Sequence, residues 1–154
     1  MKKRLLPVIL LTALTAACIH KTGGPVSVWE RVNVNMAALA QINNDVAKGL
    51  IAAEQSGLVS TQQAEPILNY QEIVAKDHAA IENILAAGSD PATNQSAKIQ
   101  ALLTEIQNQG TTLIQSGGLG IKNPKSQQTF TQDLQGILSL TETILEDFQL
   151  AKGN

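Results

Sequence analysis

The sequence predicts an all-α protein folded as an antiparallel up-down-up-down four-helix bundle. Four segments of about 25 residues repeat apolar residues every three or four positions, which is the spacing of one helix face. Links of about four to eight residues separate these segments, and links this short favour antiparallel neighbours within one chain. Ala, Gln, Leu and Ile dominate the composition, whereas alternating runs of Val, Thr and Tyr are missing. An open helical array and an intermolecular coiled coil are the alternatives.

The first helix is predicted over residues 27–55. Its apolar stripe comprises Val32, Met36, Leu39, Ile42, Val46, Leu50 and Ala53. Gly57 is the predicted stop, because glycine readily adopts the left-handed conformation that follows many helix ends. Before the helix, residues 21–27 (KTGGPVS) are predicted to form a short flexible tether.

The second helix is predicted to begin with a capping box and to end near residue 87. Ser60 and Gln63 have the spacing at which each side chain satisfies a main-chain amide of the other residue. The apolar stripe comprises Ile67, Tyr70, Val74, Ile81 and Leu85. Pro66 leaves two alternatives open: the helix kinks there, or a separate first turn precedes a main helix that starts near Ala64.

The third helix is predicted to start after Gly88, with Ser89 or Asp90 as its cap and Pro91 as its first residue. Its apolar stripe comprises Ile99, Leu102, Leu103, Ile106 and Leu113. Gly110 lies inside this helix, where glycine costs about 1 kcal/mol relative to alanine. Close approach of a neighbouring backbone and simple tolerance of the glycine are equally good explanations.

The fourth helix is predicted to start at Asn123 and Pro124, a second pairing of cap and proline. Its apolar stripe comprises Phe130, Leu134, Ile137, Leu138, Ile144, Leu145 and Phe148. The preceding residues 117–123 (GGLGIKN) are predicted to be the longest and most flexible connection. The bundle domain is thus assigned to residues 28–150, with a disordered tail over residues 151–154.

The N-terminal residues have the features of a secretory signal peptide. Lys2, Lys3 and Arg4 precede the apolar run LLPVILLTALTAA of residues 5–17. A membrane-spanning helix needs about 20 apolar residues, so this run is too short to span. Residues 15–17 supply the small side chains that a signal peptidase requires. Residues 1–17 are therefore predicted to be removed.

Cys18, the only cysteine of the chain, follows this run directly. Residues 1–19 resemble the bacterial lipoprotein signal class, in which a lipobox of small residues precedes a cysteine that is diacylated and becomes residue one. That class prefers leucine three residues before the cysteine, where this chain has Thr15. The resemblance implies that Cys18 is the lipidation site and that residues 18–27 form the lipidated cysteine and tether. Cleavage of an ordinary signal, leaving a free thiol, is the alternative.

The residue after Cys18 and the charge of the mature chain bear on location and partners. Ile19 stands where the lipoprotein class carries aspartate for inner-membrane retention, so the resemblance favours the outer membrane of a Gram-negative cell. Without the predicted signal, 8 basic residues oppose 13 acidic ones, for a formal charge of −5. This balance argues against nucleic-acid binding and against electrostatic docking on anionic lipid.

Catalytic, cofactor and metal-ligating patterns are missing from the sequence. A carboxylate-bridged metal site in a bundle uses Glu-x-x-His pairs, but Ala75 lies three residues before His78. His78 is therefore predicted to be a solvated helix residue, and Met36 to be a core residue rather than an axial ligand. Glu142, Glu146 and Asp147 are predicted to form a solvated acidic face.

These observations predict a membrane-tethered, non-catalytic helical-bundle lipoprotein that contacts another envelope or periplasmic protein. The predicted contact surface is a polar helix face or the connection over residues 117–123. The alternative is a bundle that binds a small molecule or lipid in a cavity lined by Met36, Leu39, Ile81 and Phe130. A third hypothesis is an envelope factor that blocks an entry receptor. The oligomeric state is left open.

Overall fold

The computed structural model describes residues 27–87, 95–116 and 119–152. Within these residues the chain forms four α-helices and no strand, which confirms the predicted all-α bundle. The helices are α1 (Val28–Gln55), α2 (Thr61–Ala86), α3 (Gln95–Gln115) and α4 (Pro124–Lys152). None of the described helices is both long and apolar enough to span a membrane.

Side-chain caps account for three of the four helix starts, and two of these caps, at Ser60 and Asn123, were predicted. The hydroxyl of Ser27 accepts a hydrogen bond from the amide of Glu30 at 3.1 Å and begins α1. Ser60 and Gln63 form the predicted capping box of α2. Asn123 accepts a hydrogen bond from the amide of Ser126 at 3.0 Å and begins α4. The predicted start of the third helix lies in residues 88–94, outside the described residues.

The structure decides between the two alternatives for the start of the second helix and corrects the predicted end of the fourth helix. Helix α2 is continuous from Thr61 and includes Pro66, so it has no separate first turn. Helix α4 continues through Lys152, so the predicted tail is wrong for residues 151–152, while residues 153–154 lie outside the described residues. The α-helical backbone of α4 therefore continues to the last described residue.

Helices α1 and α2 run antiparallel, as two contacts one heptad apart demonstrate. The His78 ring nitrogen Nε2 lies 2.8 Å from the main-chain oxygen of Met36. Asn43 contacts Gln71 by hydrogen bonds of 3.1 and 3.3 Å. Seven residues forward along α1 thus correspond to seven residues backward along α2.

The four helices form a ring in which each packs against its two neighbours. Among the described residues, α1 packs against α2 and α4, α3 packs against the same two helices, and no Cα atoms of the diagonal pairs come within 8 Å of each other. Arg31 meets Asp147 near one end of α1, and Gly49 lies beside Phe130 towards the other end. Helix α4 therefore also runs opposite to α1.

The core follows a heptad pattern of alternating four- and three-residue steps. In α1 the buried residues are Val32, Met36, Leu39, Asn43, Val46 and Leu50. In α4 the corresponding series is Phe130, Leu134, Ile137, Thr141, Ile144 and Phe148. This spacing keeps one stripe of each helix facing its neighbours, as in coiled-coil packing. Polar residues occupy positions within both stripes.

The two ends of the bundle differ in what they contain. We call the end with the start of α1 and the end of α4 the tether end. There the rings of Trp29 and Phe148 pack edge to face with centroids 5.7 Å apart. We call the opposite end, which contains the turn of residues 56–60 and the segment of residues 119–123, the loop end.

Candidate functional site

The predicted lipidation site, Cys18, lies outside the described residues, as do residues 19–26 of the predicted tether. The described chain starts at Ser27, which caps α1 at the tether end. On the described surface, an open depression lies at the loop end.

Main-chain hydrogen bonds join the turn between α1 and α2 to the last turn of α1. The amide of Leu58 donates to the carbonyl of Ala53, and the amide of Gly57 donates to that of Glu54, both at 2.9 Å. This pair of bonds defines a Schellman motif, in which the residue after the cap is left-handed. Gly57 has a φ of 72°, so the predicted glycine stop is confirmed.

The connection between α3 and α4 is packed onto the loop end. Leu119 and Ile121 are both buried in the core cluster. Between them, Gly120 has a φ of 63°, and its carbonyl accepts a hydrogen bond from Gln63 Nε2 at 2.6 Å. The prediction of a flexible connection is therefore wrong for this part, because its apolar side chains close the end of the bundle. Residues 117–118 lie outside the described residues.

A shallow open depression lies between these two connections. Its lining comprises Glu54, Gly57, Leu58, Val59, Ser60, Thr61, Gln63, Lys122 and Asn123. Leu58 is 47 % exposed, and it is one of four large apolar residues in the described chain with an exposed fraction this high, the others being Val34, Ile51 and Leu150. Glu54 accepts a hydrogen bond from the Thr61 hydroxyl, and Lys122 supplies a positive charge.

The lining of this depression presents hydroxyl, charged and apolar groups side by side. The described lining residues include neither histidine nor cysteine, and the Thr61 hydroxyl donates its hydrogen bond to the Glu54 carboxylate. The exposed Leu58 shares this lining with one acidic residue, Glu54, and one basic residue, Lys122. Sequence reasoning pointed to the neighbouring connection but missed Leu58, because burial of a turn residue depends on the helices around it.

A second open depression lies on the outer surface between α3 and α4. Its lining comprises Gln107, Asn108, Thr111, Gln135, Leu138, Ser139 and Glu142. Amide and hydroxyl groups predominate, and Glu142 contributes negative charge. This surface corresponds to the polar helix faces that the sequence predicts as an alternative contact region.

The four residues of the ligand-cavity hypothesis lie in the packed core. Met36, Leu39, Ile81 and Phe130 are buried with exposed fractions of 4 % or less, so the prediction that Met36 is a core residue is confirmed. Neither of the two depressions described above is lined by any of them.

His78 is buried, and the prediction of a solvated residue is wrong. Its Nε2 donates to the Met36 carbonyl at 2.8 Å, and its Nδ1 lies 3.7 Å from a carboxylate oxygen of Glu82. Within the described residues, no group of three or more His, Cys, Asp or Glu side chains is arranged to hold a metal ion. The missed signal is heptad spacing, since position 78 continues the series of residues 67, 71 and 74.

The predicted acidic face at the end of α4 divides into two parts. Glu142 and Glu146 are exposed, but Asp147 is buried, so the prediction of a solvated face is wrong for Asp147. The Asp147 carboxylate accepts hydrogen bonds from Arg31 Nε at 2.9 Å and from Asn35 Nδ2 at 3.3 Å. This contact joins α1 to α4 at the tether end.

Gly110 makes room for side chains of two neighbouring helices, whereas the sequence suggested close approach of a backbone or simple tolerance. A β-carbon at this position would lie 2.6 Å from the hydroxyl oxygen of Tyr70 in α2. It would also lie 2.7 Å from Cδ2 of Leu138 in α4. Both distances are shorter than van der Waals contact allows.

Comparison of the chain with protein-family models, curated proteins and solved structures finds no significant match. The fold and the surfaces of the described residues therefore carry the functional argument, together with the signal-like N-terminal residues.

Proposed function

We propose that this protein is a membrane-tethered, non-catalytic helical-bundle lipoprotein that is acylated at Cys18 and contacts another envelope protein through its loop end. The observation that carries the proposal is the position of the two structured connections. They lie at the end of the bundle opposite the end from which the chain leads back to Cys18. Anchoring and partner contact are thus assigned to opposite ends.

Chain dimensions support this division. Residues 19–26 can reach at most about 28 Å when fully extended. The 28 residues of α1 add about 42 Å at 1.5 Å per residue. In the proposed arrangement the loop end therefore points away from the membrane, which we infer to be the outer membrane if the cell has two. Two or more acyl chains on Cys18 would hold the protein there stably.

The surface of the loop end supports a role in protein contact. Leu58 exposes 47 % of its surface on a turn that main-chain hydrogen bonds hold in place. Binding at a preorganised turn immobilises little additional chain, which lowers the entropic cost of association. Lys122 and Glu54 at the edge of the depression are suited to the polar rim of such an interface.

The anchoring part of the proposal is tested by the intact mass of the protein from its membrane fraction. The expected mass corresponds to cleavage before Cys18 with two or three acyl chains attached. The Cys18→Ser variant should lack this mass and should leave the membrane fraction. A mature wild-type protein without lipid would contradict the anchor.

The contact surface is tested by photo-cross-linking in intact cells, with the reactive side chain at Leu58 or at Lys122. Both positions are expected to form an adduct with the same envelope protein, and Leu58→Asp should abolish the adduct formed from position 122. Ala75, which is exposed in α2, is the matched control and should not form this adduct. Adducts from Ala75 alone would place the contact elsewhere.

A further inference from the structure

Helix α2 directs an unusual set of polar side chains towards the interior of the bundle. Tyr70, Gln71, Asp77 and His78 are all buried. Among the described residues, the buried Tyr70 hydroxyl, Gln71 Oε1 and Asp77 Oδ2 atoms have no hydrogen-bond partner. A buried polar atom without a partner costs about 1 to 3 kcal/mol. The contacts of α2 with its neighbours are therefore incompletely satisfied.

The contact between α1 and α4 is different. The buried carboxylate of Asp147 is matched by the Arg31 guanidinium at 2.9 Å and by the Asn35 amide at 3.3 Å. Trp29 and Phe148 pack beside this group. The bundle thus contains two buried aspartates. Asp147 has a charged partner and a hydrogen-bonded partner, whereas Oδ2 of Asp77 has no hydrogen-bond partner in the described chain.

Asp77 is 2 % exposed, and it lies one heptad after Tyr70, on the side of α2 that packs against Gly110 of α3. Burial raises the pKa of the Asp77 carboxyl, the negative charge of Glu105 in α3 raises it further, and Lys76 beside it opposes the shift. His78, which follows in α2, is directed instead towards the Met36 carbonyl of α1.

The charged residues of α3 are Lys98 and Glu105, and of these it is Glu105 whose charge acts on Asp77, while Lys76 of α2 is the cation that acts on it. The contact between Met36 and His78 places Asp77 near the level of residue 37 in α1, and the charged residues of α1 on either side are Arg31 and Asp45. Arg31 contacts Asp147, and Asp45 is negative. Helix α4 lies diagonally across the ring, and in the described residues none of its Cα atoms comes within 8 Å of a Cα atom of α2.

We propose that the contact between α2 and α3 is a proton-operated latch, closed while Asp77 carries a proton and loosened when Asp77 ionises. A neutral Asp77 is compatible with burial opposite Glu105, whereas a charged one is opposed by desolvation and by the like charge. The helices that separate are α2 and α3, while the Arg31–Asp147 contact holds α1 and α4 together.

The direction of the pH dependence follows from linkage. Because the folded-state pKa of Asp77 lies above its ordinary value of 3.8, the folded protein retains the Asp77 proton over a range in which the unfolded chain has lost it. The stabilisation by this proton is complete below pH 3.8 and is lost as the pH rises through the folded-state pKa. The latch is therefore closed in acid.

The test is amide hydrogen exchange of the full-length chain in detergent between about pH 4 and about pH 8, analysed as protection factors for each helix. Protection of α2 and α3 is expected to fall severalfold more than protection of α1 and α4 as the pH rises. Asp77→Asn should remove this difference and keep α2 protected at the higher pH. Asp45→Asn, an exposed helical aspartate, should behave like the wild type.

Glu105→Gln provides a second variant at an exposed position, and it should retain more protection of α2 than the wild type at the higher pH. Asp133, whose pKa is also raised by burial, is unchanged in every variant, so the difference from the wild type isolates Asp77. Equal loss of protection in all four helices would overturn the proposal. The same pH dependence in wild type and Asp77→Asn would also overturn it.

Discussion

Asn43 and Gln71 each donate a side-chain amide hydrogen bond to the main-chain carbonyl of the other residue, at 3.1 and 3.3 Å. The two bonds cross the contact of α1 with α2 in opposite directions and are buried. Neither bond joins one side chain to the other, so the loss of one side chain leaves the opposite bond intact. Polar pairs at heptad core positions commonly fix helix register at some cost in stability.

This geometry predicts that Asn43→Ala and Gln71→Ala have additive effects. Each variant should lower the free energy of unfolding by about 1 kcal/mol through its own lost bond, and the double variant should lose the sum within about 0.5 kcal/mol. Urea denaturation of the four proteins in a double-mutant cycle gives the coupling energy. Coupling well above that limit would mean that the two side chains bond to each other.

Gly110→Ala is expected to destabilise the bundle by about 1 to 3 kcal/mol through overpacking, although alanine favours helix. The new methyl group would meet the Tyr70 hydroxyl at 2.6 Å. Gly136→Ala is the matched control in α4, because no described atom lies within 4 Å of the added carbon. That control should gain about 1 kcal/mol.

Thermal denaturation of both glycine variants should show a lower melting temperature for Gly110→Ala and a higher one for Gly136→Ala. Tyr70→Phe removes the hydroxyl, which has no partner among the described residues, so it should restore part of the stability of Gly110→Ala. A Gly110→Ala variant as stable as Gly136→Ala would contradict the close contact.

Asp147→Ala is expected to cost about 1.5 to 3 kcal/mol, the usual range for a hydrogen bond to a charged group. The change leaves the Arg31 and Asn35 side chains without the carboxylate that they contact. Glu146→Ala, at the adjacent exposed position, should change stability by less than about 0.5 kcal/mol. Equal effects of the two variants in chemical denaturation would show that Asp147 behaves as a surface residue.

Tyr70 is the only tyrosine of the chain, so its phenol can be followed by ultraviolet absorbance without interference from other tyrosines. Burial raises its pKa above the ordinary value of 10.0. Because the neutral phenol is favoured in the folded state, stability is lost as the pH rises above 10.0. The phenolate absorbance should therefore appear together with the loss of helical circular dichroism. Ionisation at pH 10.0 in a fully helical protein would contradict this burial.

Local signals explain why the helices were predictable. Ser60 with Gln63, and Asn123 with Pro124, satisfy main-chain amides within their own first turns, so the physical cause lies within a few residues. Gly57 likewise ends α1 through its own left-handed backbone. Pro66 was ambiguous because its effect depends on whether the preceding cap already holds the first turn.

The surfaces were harder to predict because exposure is a property of pairs of helices. Leu119 and Ile121 have glycine neighbours that suggest a loose loop, yet both side chains are buried at the loop end. The exposed Leu58 and the depression beside it exist only where two connections distant in sequence meet. Sequence patterns that extend over a few residues contain no information about which connections lie side by side in the fold.

The sequence by itself determined the number, approximate bounds and apolar stripes of the helices, since helix period and capping are local. Only the tertiary structure decided that Asp77 and Asp147 lie inside the bundle, because each occupies a position beside the core stripe of its helix rather than within it. Whether such a position is buried depends on how a neighbouring helix covers it. The physical reason is that the penalty for burying a charge is set by the partner that the fold supplies: Arg31 for Asp147, and the like charge of Glu105 for Asp77.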